Sequence, residues 1–338
     1  MSPRVQKVVP RTTGPATGGR GLLGLGGLSR EEIRALLERA GELGRAGQRG
    51  EQPLRGRVVA NLFFEDSTRT KTSFAIAGRR LGAEVVDLSS GSSSVNKGET
   101  LIDTARTVEA MGVGAIVVRA RQSGAAAIIQ AGVGVPVINA GDGRHEHPTQ
   151  GLLDLYTIAG AHGREDFDLS GLTVAIVGDV ANSRVARSDI AGLGALGART
   201  ICVGPPALAP KGLESLGAKV SHDLDAVLPK ADVVVMLRIQ FERHGAFGGG
   251  GEGGEKSGEK KSAAIASIRE YRAFYALTGE RAARLKKGAV VMHPGPMNRG
   301  IEIDADVADG PRAVITRQVA HGVLVRMAAL ERALGRGA

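Results

Sequence analysis

From Arg57 onward, short apolar runs alternate with stretches whose apolar residues recur at helical spacing. The runs Val58–Phe63, Glu84–Leu88, Ala115–Val118 and Val135–Asn139 read as strands. Residues Thr70–Leu81, Thr100–Met111 and Ser123–Ala131 between them read as helices. A repeated strand–helix alternation predicts a parallel, doubly wound sheet. A helix over Pro148–Ala159 follows, and the polar stretch Gly160–Ser170 marks a boundary. A second series then begins, with strands at Thr173–Val177, Thr200–Val203, Lys219–Ser221, Asp232–Leu237 and Ala289–Met292. The last helix, Val314–Leu334, is long and amphipathic enough to cross back onto the first series. Near the start, Ser29 and Glu32 form a capping box ahead of the apolar face Ile33, Leu36, Leu37 and Ala40. The expected fold is α/β, with two doubly wound parallel-sheet domains. The first covers 21–160 and is completed by a C-terminal helix in 312–338; the second covers 161–311.

Two segments fall outside that pattern. Residues 1–20 are rich in Pro, Gly, Thr and Arg without any period and read as a disordered basic arm. Residues 245–262, GAFGGGGEGGEKSGEKKS, are low-complexity and read as a flexible insertion. A third stretch, Gly192-Leu193-Gly194-Ala195-Leu196-Gly197, has the GxGxxG spacing of a dinucleotide fingerprint. It ends a helix and precedes a strand, the reverse of the order such a site needs, so no dinucleotide site is expected there.

Composition narrows the chemistry. The 338 residues are 42% hydrophobic but only 3% aromatic, with no Trp, so the cores must be built from Val, Leu, Ile and Ala, and base-stacking nucleic-acid platforms are disfavoured. The formal net charge is +9, of which Arg4, Lys7, Arg11 and Arg20 supply +4. The rest forms no single stripe, which favours small anionic substrates over nucleic acid. A lone cysteine, Cys202, excludes an internal disulfide and any cysteine-cluster metal site. With no apolar run long enough to span a membrane and no secretory h-region, the expected compartment is the cytoplasm.

The densest chemistry lies at Glu65-Asp66-Ser67-Thr68-Arg69-Thr70-Lys71-Thr72-Ser73, between the first strand and its helix. A helix start offers unpaired N–H groups and partial positive charge; hydroxyls and a guanidinium around it suit a phosphate dianion. An ordinary cap would need one Ser or Thr. The loop Ser92–Thr100, with Ser93 and Lys97, could serve a phosphate, a carboxylate or only the solvent. Arg119 ends a strand, and His147-Pro148-Thr149-Gln150 opens a helix after the next one. Carboxyl ends of parallel strands are where open α/β sheets bind ligands. In the second series Arg184, and Arg238 with Gln240, occupy the same kind of position, and two guanidinium forks suit a dicarboxylate. His145 and His147 lack further ligands at metal spacing, so no metal is expected. No Ser-His-Asp or Cys-His arrangement stands out, so positioning and electrostatics must carry the chemistry.

In this order, Ser67-Thr68-Arg69-Thr70, Lys97-Gly98-Glu99-Thr100, His147-Pro148-Thr149-Gln150, Arg238-x-Gln240 and His293-Pro294-x-Pro296-x-Asn298-Arg299 resemble the aspartate branch of the aspartate/ornithine carbamoyltransferase family. The resemblance runs from about Leu22 to the last helix. It implies transfer of the carbamoyl group from carbamoyl phosphate to the amino group of L-aspartate, giving N-carbamoyl-L-aspartate and phosphate in pyrimidine (UMP) synthesis. It implies that Ser67, Thr68, Arg69 and Thr70 hold the phosphate and that Thr70, Arg119 and His147 meet the carbonyl oxygen. Gln150 would take the carbamoyl amide. Arg184, Arg238 and Gln240 would hold the aspartate carboxylates, with the backbone at Gly295 and Pro296 assisting the amino groups. Ser93 and Lys97, the latter also toward aspartate, would come from a neighbouring subunit of a homotrimer. No cofactor or metal is implied, and a regulatory chain or a dihydroorotase remains open as a further partner. The readings left to compete are a carbamoyltransferase for another amino acid such as ornithine, and a non-catalytic scaffold relative. An ornithine side chain would be repelled by Arg238, and the Ser-Met-Gly and His-Cys-Leu-Pro signatures of the ornithine branch are absent.

The departures are specific. Asp66 sits inside the phosphate turn, where an acid weakens the site unless it points away. Ala75 replaces a Glu and Asn182 a His, and the glycine run lengthens the loop expected to close over aspartate. Glu65 is expected to bridge Arg184 or Arg243 when that loop closes.

Overall fold

The computed structural model describes residues 20–47, 51–89, 99–239 and 267–335. Most of the basic arm, Ser93, Lys97, Gln240, Arg243 and the glycine-rich insertion lie outside the described residues. The chain folds into two compact units. One takes the residues up to Leu23, Leu43–Gly143 and those from Arg326; the other takes Gly24–Glu42 and Arg144–Val325.

The first unit holds strands β1 (Val58–Phe63), β2 (Glu84–Ser89), β3 (Ala115–Ala120) and β4 (Val137–Asp142) in one parallel sheet of order β2–β1–β3–β4. Helices α2 (Thr68–Arg80), α3 (Leu101–Ala110) and α4 (Ala125–Gly132) connect the strands; α1 (Arg30–Ala46) precedes them. The Ser29–Glu32 capping box forms as expected: each residue's backbone N–H donates to the other's side chain. Continuous apolar strands with helices between them make the core from Ala60, Leu62, Ile116, Val118, Ala125, Ile129 and Val137, without a Phe or Tyr among them.

Strand β4 runs past the expected Asn139 to Asp142, because its polar residues are satisfied inside. The Asn139 amide donates to Leu23 O at 2.9 Å and to Asp142 Oδ1 at 2.8 Å, and Asp142 Oδ2 accepts from Gly124 N–H.

In the second unit β5 (Thr173–Val177), β6 (Arg199–Val203), β7 (Lys219–Ser221), β8 (Val233–Met236) and β9 (Val290–Met292) form a parallel sheet of order β7–β6–β5–β8–β9. It carries α5 (Pro148–Ala161), α6 (Arg184–Ala195), α7 (Leu224–Val227), α8 (Ile268–Tyr275), α9 (Gly279–Ala283) and α10 (Ala305–Ala308). The terminal helix α11 (Ile315–Leu334) is divided between the units at Val325/Arg326. Its far half belongs to the first sheet's unit, where the Arg326 guanidinium lies 5.3 Å from the Phe74 ring centroid.

The GxGxxG look-alike has a packing role. It closes α6 ahead of β6, and a Cβ on Gly192 would come 2.6 Å from Leu155 Cδ1 of α5. The missing side chain lets α5 and α6 approach closely. Cys202 is buried on β6, as its apolar neighbours imply.

Each sheet has one topological switch point. From β1 the chain moves to β2 on one side and to β3 on the other; from β5 it moves to β6, and β8 lies on the opposite side. Ligand crevices in open α/β sheets form at the carboxyl ends of such strand pairs.

Candidate active site

In the first unit the switch point brings the hydroxyl-rich turn beside Arg119. Phe63 of β1 is paired with Arg119 of β3, and Phe64 N–H donates to Arg119 O at 2.8 Å. Helix α2 begins at Thr68, earlier than the sequence pattern indicates. Ser67 takes an extended N-cap conformation (φ −162°, ψ 90°), yet its side chain makes no capping hydrogen bond. At Thr100, Ser183, Asp223, Ser267 and Thr278 the cap side chain does accept from its helix. The α2 start therefore lacks the internal acceptor that these helices have. That is the form of an anion site: N–H groups and helix dipole on one side, hydroxyls and guanidinium around.

Thr70 is buried, while Thr68 and Arg69 are exposed. Although Arg69 is exposed overall, partial desolvation of its guanidinium pulls its pKa below the usual value. Asp66 is exposed, where water screens its charge. Arg243, one partner expected for Glu65, lies outside the described residues; Glu65 is partly buried, Arg119 Nη2 reaches its Oε1 at 3.4 Å, and Arg119 Nη1 donates to Ala140 O at 3.2 Å. These contacts hold the Arg119 fork at the strand end, beside the α2 start.

In the second unit Arg184 is the first residue of α6, buried, just after the cap in which Ser183 Oγ accepts from Ala186 N–H at 3.1 Å. Arg238 is half-buried and lies two residues past the end of β8. Leu237 N–H donates to Val177 O at 2.8 Å, so the β8 end lies against the β5 turn. Gly178 makes this approach possible. At φ 125°, a Cβ there would come 2.8 Å from Leu237 O. Asn182, the departure from the family pattern, donates to Asp179 Oδ1 at 2.7 Å and so braces the same turn. Both arginines stand at the second switch point.

His147 and Gln150 share the start of α5. His147 occupies the N-cap without a side-chain cap, and Pro148 takes the first helical position. The backbone behind His147 is held by a buried relay. His147 N–H donates to Ser188 Oγ at 2.9 Å, and Ser188 Oγ donates to Glu146 Oε2 at 2.9 Å. Glu146 also accepts from Leu25 N–H at 2.6 Å and Gly26 N–H at 3.2 Å.

The Gln150 amide donates to Asp154, at 3.1 Å to Oδ1 and 3.3 Å to Oδ2. Gln318 Nε2 donates to the same carboxylate at 2.5 Å, and Gln318 Oε1 accepts from His293 N–H at 3.2 Å.

His293 fixes the loop that follows β9. Gly295 N–H donates to His293 Nδ1 at 2.8 Å, so Nδ1 is an acceptor and the ring proton sits on Nε2, 3.3 Å from Glu302 Oε1. Glu302 Oε1 accepts from Asn298 N–H at 2.6 Å, and Asn298 Nδ2 donates to Ile239 O, beside Arg238. The loop carries a cis Gly295–Pro296 peptide. Arg299, part of the same sequence pattern, is turned to the surface and paired with Asp309 at 2.6 Å.

Sequence reasoning missed Glu146, Ser188, Asp154, Glu302 and Gln318. Asp154 was accessible, being four residues after Gln150 on a helix. Glu302 acts within its own loop, on Asn298 and His293, and the others act across distances at which sequence spacing carries no signal.

Known proteins match along nearly the whole chain. The model of the carbamoyl-P binding domain of aspartate/ornithine carbamoyltransferases matches residues 20–160, and that of the Asp/Orn binding domain matches 170–332. The aspartate carbamoyltransferase catalytic subunit of Myxococcus xanthus is 52% identical over 312 residues, covering 92% of this chain and 98% of its own. That of Methylorubrum extorquens is 50% identical over 323 residues, covering 94% and 96%. Among solved structures, aspartate transcarbamoylase from Trypanosoma cruzi in complex with carbamoyl phosphate and aspartate superposes with a TM-score of 0.79 at 33% identity, covering 94% of this chain and 96% of that one. The same enzyme in complex with N-(phosphonacetyl)-L-aspartic acid gives 0.80 at 33% identity, covering 95% and 98%.

Proposed function

The chain belongs to the aspartate/ornithine carbamoyltransferase family, and we propose that it transfers the carbamoyl group of carbamoyl phosphate to the amino group of L-aspartate. The observation that carries this reading is the pair of switch points. One offers an uncapped helix start with hydroxyls and Arg69 for a dianion; the other presents Arg184 and Arg238 for a dicarboxylate. Ornithine would bring a side-chain cation to those arginines.

In the reaction the aspartate nitrogen attacks the carbamoyl carbon, an N–C bond forms, and the C–O bond to phosphate breaks. Ser67, Thr68, Arg69 and Thr70 hold the phosphate and stabilise it as it leaves. Thr70, Arg119 and His147 donate to the carbonyl oxygen as charge develops on it, where fixed donors lower the barrier most. Gln150 accepts from the carbamoyl NH2. Arg184, Arg238 and Gln240 bind the aspartate carboxylates, and the Gly295–Pro296 backbone orients the amino groups. The departing phosphate takes the amine proton, so no protein base is required.

We assign carbamoyl phosphate to the domain at 21–160 and aspartate to that at 161–311. The complete enzyme is a cytoplasmic homotrimer whose subunits lend Ser93 and Lys97 to one another, acting in pyrimidine synthesis.

Phosphate release from carbamoyl phosphate with a panel of amino acids tests the reading. Turnover should require L-aspartate. Turnover with ornithine alone would make it a relative of the other branch, and silence with every acceptor would make it a scaffold. Size measurement on the purified chain tests the trimer.

A further inference from the structure

The mechanism above leaves one buried acid unused. Asp189 of α6 is 2% exposed, and no described N–H or O–H donates to either of its oxygens. Asp154 of α5, itself 1% exposed, neighbours it across the close α5–α6 contact, where Gly151 packs on Ser188 and Gly192 on Leu155. Two neighbouring carboxylates buried inside a protein repel each other and have lost their hydration, so one of them takes a proton. The hydrogen bonds say which. Asp154 accepts from the amides of Gln150 and Gln318, contacts that favour its ionised form; Asp189 accepts none.

We propose that Asp189 is held protonated and donates to Asp154, and that this pair is the positioning element that turns the Gln150 amide. An ionised Asp154 can only accept, so it draws the Gln150 NH2 group inward and leaves Oε1 facing away as an acceptor. An outward acceptor suits a carbamoyl NH2 and offers nothing to a methyl. The pair therefore sets the preference for carbamoyl phosphate over acetyl phosphate. This rests on the assignment of Gln150 to the carbamoyl amide.

Burial, and then Asp154, push the Asp189 carboxyl well above the usual aspartate range. Among the described residues, Cys202 of β6 also faces it; its thiol is pushed up to about 12 by burial and by Asp189, and so adds no cation. Loss of the Asp189 proton as pH rises would set two carboxylates against each other and loosen Gln150.

The test uses the full-length enzyme and two variants. Infrared spectroscopy at neutral pH should show a protonated-carboxyl carbonyl band that disappears in Asp189→Asn. Asn still donates to Asp154, so this variant should keep the KM for carbamoyl phosphate within about twofold and lose any rise in KM with pH. Asp189→Leu removes the donor. Its KM for carbamoyl phosphate should rise about tenfold with a smaller change in kcat, and its discrimination against acetyl phosphate should fall. A band unchanged in Asp189→Asn, or an Asp189→Leu enzyme with wild-type KM and discrimination, would overturn the proposal. Should the wild type fail to carbamoylate aspartate, the functional reading falls, while the infrared band still reports whether the proton is shared.

Discussion

Glu146 is buried between the predicted His145 and His147, and its carboxylate accepts from Leu25 N–H at 2.6 Å, Ser188 Oγ–H at 2.9 Å and Gly26 N–H at 3.2 Å. Replacing it by Ala leaves these donors without their acceptor. The Leu25 N–H is fully buried and loses a short, charge-assisted bond, for which about 2–3 kcal/mol is expected. The Ser188 hydroxyl can rotate and contributes about 1 kcal/mol. Gly26 is partly exposed, water can replace the carboxylate, and its share is roughly 0.5 kcal/mol. Together Glu146→Ala should lower unfolding stability by about 4 kcal/mol, and Glu146→Gln, which keeps one acceptor oxygen, by about 2. Urea unfolding followed by far-ultraviolet circular dichroism, at one protein concentration, measures both. The variants should also weaken catalysis, because Ser188 Oγ receives the His147 N–H and would no longer be anchored by Glu146. An Ala variant within about 1 kcal/mol of wild type would refute the relay as the support of His147.

Three further outcomes are expected. Gly192→Val should cost about 1–3 kcal/mol by forcing α5 and α6 apart at Leu155, measured as a drop in the urea midpoint with an unchanged slope. Arg119→Ala should lower kcat about 100- to 1,000-fold, as loss of an oxyanion donor does, while Arg238→Ala should act mainly on the KM for aspartate. The third concerns pH. Because the folded-state pKa of Asp189 is raised, its proton adds stability fully present below the unfolded value near 4, and that stability falls as pH rises toward the folded pKa, by up to about 1.4 kcal/mol per unit. Asp189→Asn should therefore gain stability relative to wild type as pH rises from about 4 upward, and parallel denaturation curves from pH 5 to 8 would check it.

Much of this architecture can be read in the residues. Strands β1, β5 and β7 have the expected bounds: the apolar runs of β1 and β5 stand between polar or glycine-bearing stretches, and β7 is centred on its one apolar residue, Val220. The Ser29 cap formed because a capping box is local. The strand ends that carry Arg119, Arg184 and Arg238 were likewise apparent from the apolar runs preceding them. Strand order was not apparent, and order is what turns those ends into switch points: β1 lies between β2 and β3 through pairings that leave no mark on local spacing. Asn139 ended its strand too early in the reading because a polar residue resembles a boundary unless its partners, Leu23 and Asp142, are known. Glu65 lies by Arg119, the cation that strand pairing sets beside it, a contact that sequence spacing alone does not announce. Two of the carboxylates behind the site were invisible for the same reason: Glu146 and Glu302 look like ordinary acids until Leu25 and His293 are brought to them. Asp154 stands at helical spacing from Gln150, but its second donor, Gln318, comes from far along the chain.

The central claim is the transfer itself and its acceptor. The most direct measurement incubates the purified protein with carbamoyl phosphate and equal concentrations of L-aspartate and L-ornithine, with the products identified by mass spectrometry. The account predicts N-carbamoyl-L-aspartate as the carbamoylated product, formed in equal amount with phosphate. Citrulline as the main product, or phosphate release with no carbamoylated amino acid, would contradict it.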